Sequence, residues 1–340
     1  MTTTGLEIVV VSAAPLNGET PLQRQTGLLT PVEQHYVRNH FGMPEHPGTL
    51  EIGGMVGRPT TITVAELRER PLETHVVTLE CAGNGRRFLE PAVKGEQWSL
   101  GAVGTAEWRG VRLGILLDEA EVLPAAVEVV FEGADSGMPA VLDHAITFER
   151  SLPVAAAGDA LVAIEMNGRP LPAEHGAPIR LIVPGRYGMA SVKWLRRITA
   201  VEAPFRGFFQ ADRYVVDGEP LGPIAPRALI TSPADGATVA AGSPLAIRGY
   251  AWSGRGPIAA VNVSDDGGRS WQSAVLGAAQ SPVAWRSFEL AWSAPARLGD
   301  VALVARATDA SGATQPLEQN WNSLGYMNNA AQPVTVRVAG

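Results

Sequence analysis

The 340-residue sequence contains a single cysteine, Cys81. One thiol excludes an internal disulfide, a cysteine-rich zinc site and an iron–sulfur cluster, and the absence of Cys-x-x-Cys-His excludes a covalently attached c-type haem. No apolar run approaches the roughly 20 residues that span a bilayer, so we expect no membrane insertion. Because the first residues lack both a basic region before an apolar core and a twin-arginine pair, we expect the chain as given to be cytoplasmic, or periplasmic if a leader has been removed.

Basic residues are also scarce. Lys and Arg number 27 against 34 Asp and Glu, which leaves a net charge of −7, and the only lysines are Lys94 and Lys193. An acidic chain is not expected to bind nucleic acid or an anionic membrane. A small anion can still enter a cleft lined with arginine, because the local field decides which ions enter it. The length and the hydrophobic content of 46% suffice for two domains, each with its own core.

Residues 78–87 surround the single cysteine. The β-branched run at 76–79 predicts a short buried strand that leads Cys81 into a loop with Gly83 and Gly85, where the backbone can approach another group closely. Two arginines follow, and neighbouring guanidiniums favour the thiolate form that a soft metal binds. The residues alone leave two alternatives open: Cys81 is a metal ligand, or it is a small buried apolar residue.

A second group of charged residues flanks a predicted strand at 181–183. His175, Arg180 and Lys193 lie on either side of this strand, and the glycine-containing loop at 184–188 offers N–H groups that can wrap an anion. The pattern favours a phosphate or other anion site, with a surface charge cluster as the alternative. Residues 38–40, Arg-Asn-His, likewise offer several hydrogen-bond donors, or else form a solvated surface segment.

Prolines at 220–226 separate two stretches that differ in their predicted secondary structure. They predict two domains, residues 1–222 and 223–340. The first combines predicted strands with short helices, one of them opened by a capping box at 63–66, and an Asn-Gly pair at 167–168 predicts a hairpin. The second contains short alternating strands with turns every ~8–12 residues, a pattern typical of an immunoglobulin-like sandwich. The fold class is therefore α+β and mostly β.

Ten short motifs, spread in order over nearly the whole chain, resemble the molybdenum-containing sulfite oxidase family. Each motif is weak alone, and their common order carries the resemblance. They are Tyr36-Val37-Arg38-Asn39-His40, Cys81-Ala82-Gly83-Asn84 with Arg86, Trp98 before Gly101, Phe131-Glu132-Gly133 with Asp135, Met166-Asn167-Gly168, His175-Gly176 with Pro178 and Arg180, Val183-Pro184-Gly185, Val192-Lys193-Trp194-Leu195, Gly249-Tyr250-Ala251-Trp252-Ser253-Gly254, and Trp321-Asn322.

The resemblance implies a sulfite-oxidase-type catalytic domain that binds a molybdenum cofactor (Mo-molybdopterin), followed by an immunoglobulin-like dimerisation domain. The metal in this family takes two dithiolene sulfurs, two oxygens and one protein thiolate, and Cys81 matches that thiolate. Further residues match family positions that hold the pterin and its phosphate. They are Tyr36, Val37, Arg38, Asn39, His40, Asp135, His175, Arg180, Ser191, Val192 and Lys193.

The resemblance also implies a catalytic set in which arginines hold an anionic substrate beside the metal. Arg38, Arg86 and Arg286 match the three arginine positions, and Trp98 matches a residue that lines the pocket. Tyr214 matches the tyrosine that hydrogen-bonds the reactive oxygen of the cofactor, although residues 208–213 before it diverge from the family pattern.

The activity that the resemblance implies is oxidation of sulfite to sulfate by a homodimer. Electrons would pass to a separate acceptor such as a c-type cytochrome, because the chain has no haem domain. One alternative is another oxotransferase on the same scaffold, an S-oxide or nitrate reductase, and Arg286 argues against nitrate reductase, whose pattern lacks an arginine there. A further alternative is a non-catalytic adhesion or binding module, which accounts for the second domain but leaves Cys81 and the pterin-like set unexplained.

Overall fold

The computed structural model describes residues 5–340, and β-strands dominate them. No helix in this range is long and apolar enough to cross a membrane. The strands of the first part of the chain are β1 Val9–Ala13, β2 Leu16–Glu19, β3 Thr49–Gly54, β4 Thr60–Thr63, β5 Leu72–Glu80, β6 Val103–Arg112, β7 Glu128–Gly137, β8 Ile146–Pro153, β9 Leu161–Met166, β10 Arg169–Pro170, β11 Arg180–Ile182, β12 Leu195–Val201, β13 Val215–Val216 and β14 Glu219–Pro220.

The helices are short and lie between strands of this first part. The α-helices are α1 Val64–Arg68, α2 Leu113–Glu119, α3 Val154–Ala157 and α4 Phe208–Ala211, and single 3₁₀ turns occupy Leu22–Arg24, Arg86–Phe88, Ala173–His175 and Gly188–Ala190. The predicted capping box is confirmed, because the Glu66 N–H donates to Thr63 Oγ1 while the Glu66 carboxylate accepts from the Thr63 N–H. The predicted hairpin is confirmed as well: Asn167 and Gly168 both have positive φ between β9 and β10.

Two five-stranded sheets build most of the first part of the chain, and β1-β2 and β13-β14 form separate two-stranded sheets. One of the five-stranded sheets has the strand order β10-β9-β6-β5, with β11 also paired to β9, and the other has the order β4-β3-β12-β7-β8. Their apolar faces and helix α2 share one buried cluster. The opposite face of the first sheet packs on a second cluster that contains Tyr36, Cys81 and Trp98. The end of β5 is therefore enclosed by protein, and Cys81 follows it directly.

The second part of the chain is a β-sandwich, as predicted. Its strands are β15 Arg227–Ser232, β16 Thr238–Ala240, β17 Pro244–Trp252, β18 Ile258–Ser264, β19 Gln272–Ser273, β20 Val275–Leu276, β21 Arg286–Ser293, β22 Gly299–Asp309 and β23 Val334–Ala339. One sheet has the order β15-β17-β21-β20 and the other β16-β23-β22-β18-β19, and their inner faces share one core.

The sandwich covers the free edge of β5. The Val283 carbonyl accepts from the Thr78 N–H at 3.3 Å, the Ser281 hydroxyl donates to the Val76 carbonyl at 2.6 Å, and the Trp285 N–H donates to Thr78 Oγ1 at 2.8 Å. An uncovered edge strand would present unpaired backbone groups. The two domains are thus joined along the strand that leads to Cys81.

A buried ion pair completes this junction. Arg227 Nη1, at the start of β15, lies 2.8 Å from Glu80 Oε1, at the end of β5, and only 2% and 3% of the two side chains are exposed. Asn84 Nδ2 donates to the same carboxylate oxygen at 3.0 Å, and Trp252 Nε1 donates to the other at 2.9 Å. Both oxygens of the carboxylate are satisfied, which is what makes a buried charge tolerable.

We expect Glu80→Ala to lower the free energy of unfolding by roughly 3–5 kcal/mol, because the Arg227 guanidinium would stay buried without a countercharge. Urea unfolding of the variant and the wild type measures this difference. The matched control is Glu289→Ala, which breaks an exposed pair with Arg248 and should cost less than about 1 kcal/mol. Equal losses in the two variants would contradict the role given to the buried pair.

Candidate active site

A cavity lies at the end of β5, where loops from several parts of the first domain meet. Charged, aromatic and sulfur-containing side chains line it. They are His35, Tyr36, Val37, Arg38, His40, Leu79, Cys81, Ala82, Asp135, Phe148, Glu174, His175, Arg180, Gly188, Met189, Ser191, Lys193 and Tyr214. Most of the residues that the sequence analysis singled out therefore lie around one space, although they are far apart in the chain.

Four of the singled-out residues are buried beside the cavity and do not line it. The Asn39 amide oxygen accepts from Lys193 Nζ and so orients a lining side chain. Trp98 belongs to the apolar cluster that contains Cys81, and Val192 belongs to the main core. Arg86 lies behind Cys81, and its charge acts on the thiol.

Regular structure holds each lining segment in place. Gly18 and Val37 exchange two backbone hydrogen bonds of 2.9 and 3.0 Å, which fix the segment before Arg38. The Cys81 N–H donates to the Ala102 carbonyl at 2.8 Å. The Ser191 hydroxyl accepts from the Val183 N–H at 3.0 Å and ties the loop after β11 back to that strand.

Cys81 is a buried free thiol. Burial raises the pKa of the thiol, while the guanidiniums of Arg38 and Arg86 act in the opposite direction. Burial outweighs the arginines, so the free thiol keeps its proton, in contrast to the thiolate expected from the sequence. A bound metal would remove that proton, since a coordinating thiol is deprotonated outright. The site is therefore prepared for a metal ligand rather than for a free nucleophile.

The glycines after Cys81 make room for arginines. A Cβ on Gly83 would lie 2.6 Å from the Arg86 guanidinium, and a Cβ on Gly85, whose φ is +82°, would lie 2.7 Å from Arg227 Nη2. The close approach expected from the sequence is thus real, and its partners are these two side chains. The loop therefore packs closely against Arg86 and against Arg227, the partner of Glu80.

Arg38 and Arg86 are the two guanidiniums on the Cys81 side of the cavity. Arg38 donates to the Asn39 carbonyl, and its Nη1 lies 3.3 Å from Asn17 Oδ1. Arg86 Nη1 donates to the Glu96 carbonyl at 2.9 Å and its Nη2 to the Leu324 carbonyl at 3.2 Å. Neutral carbonyls orient Arg86 without cancelling its charge, which adds to the positive field at Cys81.

The prediction that Arg286 joins this pair is wrong. Arg286 is the first residue of β21 in the sandwich, where it pairs with Ala251. Its guanidinium donates to the Gly277 carbonyl at 2.9 and 2.6 Å and to the Ile258 carbonyl at 2.8 Å. The strand register turns this side chain into its own domain, so it does not reach the cavity.

His40 connects Arg38 to Tyr214. Arg38 Nη2 lies 3.0 Å from His40 Nδ1 and 3.4 Å from His40 Nε2. A guanidinium can only donate, and we assign the acceptor role to the nearer nitrogen, Nδ1. Burial lowers the pKa of His40 well below its ordinary value, so the ring is neutral. With Nδ1 as the acceptor, the one ring hydrogen is on Nε2. Nε2 lies 2.6 Å from the Tyr214 hydroxyl oxygen and donates to it.

Tyr214 can therefore donate its own hydroxyl hydrogen to a ligand in the cavity. Burial raises the pKa of the phenol, with Arg38 acting in the opposite direction, so the hydroxyl keeps its proton near neutral pH. The chain Arg38–His40–Tyr214 sets the direction of each hydrogen bond. Residues 208–213, which diverge from the family pattern, still deliver Tyr214 to the cavity wall.

Two desolvated basic side chains, Arg180 and Lys193, line one part of the cavity wall. Arg180 donates to the His175 carbonyl at 2.8 Å, and Lys193 donates to the Glu174 carbonyl at 2.9 Å. Burial lowers the pKa of Arg180 to about 10 and that of Lys193 well below its ordinary value, while burial raises the pKa of Asp135 to about 6. Desolvated cations bonded to neutral carbonyls call for an anion, and a phosphate would supply it.

These residues fit the molybdenum cofactor that the resemblance implies. Among residues 5–340, no group of three or more His, Cys, Asp or Glu side chains could hold a metal. A metal beside Cys81 would have one protein ligand, and its other ligands would come from an organic cofactor. The thiol and the two desolvated basic side chains line the same cavity, as a metal-binding cofactor with a phosphate requires.

Sequence reasoning missed several residues of this region. Arg150 is buried in β8, and its guanidinium carbon lies 5.8 Å from the centre of the Tyr214 ring. Tyr326 stacks on Tyr214 with ring centres 5.1 Å apart. Tyr326 comes five residues after Trp321, which belongs to one of the ten motifs, so that motif could have pointed to it. Nothing local distinguishes Arg150 from other strand arginines.

Comparison with known families agrees with this geometry. Residues 40–209 match the family described as "oxidoreductase molybdopterin binding domain", and residues 224–339 match the "Mo-co oxidoreductase dimerisation domain". The predicted cavity residues from His40 to Lys193 lie within the first match.

Individual proteins align over nearly the whole chain. Mitochondrial sulfite oxidase of Mus musculus is 36% identical over 96% of this chain, which spans 65% of the mouse protein's length. Nitrate reductase [NADH] 2 of Phaseolus vulgaris is 32% identical over 93% of this chain, which spans 40% of that protein. Among solved structures, the sulfane dehydrogenase SoxCD from Paracoccus pantotrophus superposes with a TM-score of 0.82 at 30% identity, covering 98% of this chain and 89% of that one.

Lys193→Met should lower the pterin content per chain several-fold, because the variant removes a desolvated cation from the part of the cavity wall that suits a phosphate. Pterin fluorescence after oxidative release, normalised to protein, measures the content. The only other lysine, Lys94, is exposed, and Lys94→Met is the control that should leave the content unchanged. Equal pterin in both lysine variants would move the phosphate site elsewhere.

Cys81→Ser should keep the pterin and lose visible absorption from thiolate–metal bonding.

Proposed function

This chain belongs to the sulfite oxidase family of molybdopterin oxidoreductases, and from that premise we propose that it oxidises sulfite to sulfate. The balanced reaction takes sulfite and water to sulfate, two protons and two electrons. The observation that carries the proposal is that one cavity brings the thiol of Cys81 together with arginine side chains and with the Tyr214 hydroxyl, which can donate a hydrogen bond.

The arginines attract and orient the substrate. A small dianion forms charge-assisted hydrogen bonds with guanidiniums, and bidentate contacts also fix its orientation. Arg38 and Cys81 line the same cavity, so an anion bound to Arg38 would lie near the thiol. The charge of Arg86, which also acts on the thiol, adds to the attraction. Holding the reactant there removes the entropy cost of bringing it to the reacting centre.

Tyr214 stabilises charge that shifts during the reaction. Its hydroxyl hydrogen, directed by His40, is donated to an oxygen that gains negative charge, and Arg38 strengthens this donation through the same chain. Phe148 and Met189 line the cavity near it and keep bulk water away, which strengthens each electrostatic contact. The molybdenum cofactor, when bound, supplies the oxygen-atom transfer and takes up the two electrons.

The electrons leave to a separate acceptor, for which a c-type cytochrome is our proposal. The sequence has one cysteine and no Cys-x-x-Cys-His, so a covalently attached haem is not part of this chain. Residues 224–339 match a dimerisation domain, and we propose that the enzyme is a homodimer assembled through it. The mouse relative is longer than this chain, so its other regions do not inform this proposal.

Nitrate reduction is the second candidate, and a specific observation favours it. Arg286, the residue expected to distinguish this chain from a nitrate reductase, is bonded within the sandwich and does not reach the cavity. Only Arg38 and Arg86 of the three predicted arginines lie near Cys81, and a plant nitrate reductase aligns over 93% of the chain. We retain sulfite because the sulfite oxidase relative shares more identity, 36% against 32%.

The first test is sulfite-dependent reduction of ferricyanide, normalised to molybdenum per chain. We expect turnover to rise in proportion to molybdenum content, and Cys81→Ser with bound pterin is the matched inactive control. Nitrate with a reduced viologen dye is assayed in parallel. Full molybdenum content with nitrate turnover and none with sulfite would refute the proposed substrate.

The hydrogen-bond chain gives a separate prediction. Tyr214→Phe and His40→Leu should each lower kcat by roughly 10- to 100-fold, because each removes the oriented donor, and losing one donor of this kind costs up to about 10³-fold. His40→Gln should retain more activity, since an amide can accept from Arg38 and donate to Tyr214. Steady-state kinetics of the single variants and the His40→Leu/Tyr214→Phe double variant test this. Multiplied losses in the double variant would mean that His40 does not act through Tyr214.

A further inference from the structure

Residues 319–328 of the second domain, which we call the clasp, run along the loop that follows Cys81. The Met327 N–H donates to the Ala82 carbonyl at 2.9 Å, and Asn328 Nδ2 donates to the Gly85 carbonyl at 2.8 Å. Trp321 Nε1 donates to the Pro91 carbonyl at 2.8 Å. The clasp is thus bonded to the backbone on both sides of Arg86.

Tyr326 is the aromatic residue that the clasp places next to the cavity. Asn322 holds its backbone from both sides, since Oδ1 accepts from the Tyr326 N–H at 3.0 Å and Nδ2 donates to the Tyr326 carbonyl at 2.7 Å. Gly325 has a φ of +65°, and a Cβ there would lie 2.8 Å from Arg86 Nε. The clasp is therefore shaped around the Arg86 side chain.

The Tyr326 ring contacts two residues of the candidate active site. The Arg86 guanidinium carbon is 5.3 Å from the ring centre. The Tyr214 ring is stacked on Tyr326 at 5.1 Å with an interplanar angle of 24°, and the Arg150 guanidinium carbon is 5.8 Å from the Tyr214 ring centre. Each of the two stacked rings thus has a cation within about 6 Å of its centre, the range over which the negative face of a ring attracts a cation.

We infer that Tyr326 is a positioning residue of the active site, which sets Arg86 and Tyr214 relative to each other. The neutral carbonyls of Glu96 and Leu324 orient the edge of the Arg86 guanidinium, and the ring of Tyr326 supports its face. Loss of this face would let the Arg86 guanidinium turn, which would weaken its field on an anion near Cys81, and it would free one face of Tyr214. Sulfite affinity would then depend on a residue of the second domain. The change in KM for sulfite that this inference predicts rests on the proposed function.

The test compares Tyr326→Phe with Tyr326→Leu in the molybdenum-loaded enzyme. Phe keeps the ring face, so KM for sulfite should change by less than about twofold. Leu removes the face, and KM should rise about tenfold, which corresponds to about 1.4 kcal/mol and lies between the values for exposed and for desolvated cation–π contacts. In an Arg86→Gln background, Tyr326→Leu should raise KM no further, because its effect passes through the guanidinium.

Tyr250→Leu is the matched control. Tyr250 is as buried as Tyr326, 7% exposed in each case, and stacks on Trp285 at 4.5 Å. This variant should lower stability and leave the KM for sulfite unchanged. If Tyr326→Leu does not fold, Asn322→Ala takes its place, since it releases the Tyr326 backbone without removing the ring, and it should show the same dependence on Arg86.

The same variants separate this inference from the proposed function. If the wild type does not oxidise sulfite, the proposed substrate fails, and sulfate binding measured by calorimetry replaces KM. Tyr326→Leu should then weaken sulfate binding about tenfold in the presence of Arg86 and not in the Arg86→Gln variant. Equal effects in both backgrounds, a Phe variant as impaired as Leu, or sulfate binding independent of Arg86 would each overturn the inference.

Discussion

The ion pair between Glu80 and Arg227 is the interaction on which the rest of the structure depends. It joins the last residue of β5 to the first residue of β15, it is almost fully buried, and it directly precedes Cys81 in the chain. Removing two charges from water is costly, and Asn84 and Trp252 offset that cost by bonding the remaining carboxylate positions. The loop that carries the candidate metal ligand is therefore fixed by contacts to both domains.

This arrangement gives the second domain a part in the active site. The sandwich covers the edge of β5, and the clasp bonds the backbone around Arg86. A domain that only promoted dimer formation would not need to enclose an arginine beside the cavity. The position of the catalytic groups and the association of the two domains consequently share the same contacts, and a change in one is expected to affect the other.

The cavity is lined by basic side chains that are buried away from water. Arg180 and Lys193 are desolvated and bonded mainly to carbonyls, and burial shifts their pKa values against the charged form. The free protein bears this cost, and an anionic cofactor would relieve it, so binding should also stabilise the fold. The neutral ring of His40 has a different role. It accepts a hydrogen bond from Arg38 and donates one to Tyr214, and it adds no charge to the cavity.

Local sequence was enough to predict the short strands, the capping box at Thr63, the hairpin at Asn167 and the family, since each depends on neighbouring residues or on the order of motifs. It was also enough to identify the thiol and the basic groups that the cavity contains. Tertiary structure alone decided which charges meet: Glu80 pairs with a residue 147 positions away, Arg286 is turned into its own sheet, and Tyr326 reaches Tyr214. The physical reason is that strand register and sheet packing fix the direction of each side chain, and both arise from contacts between distant segments.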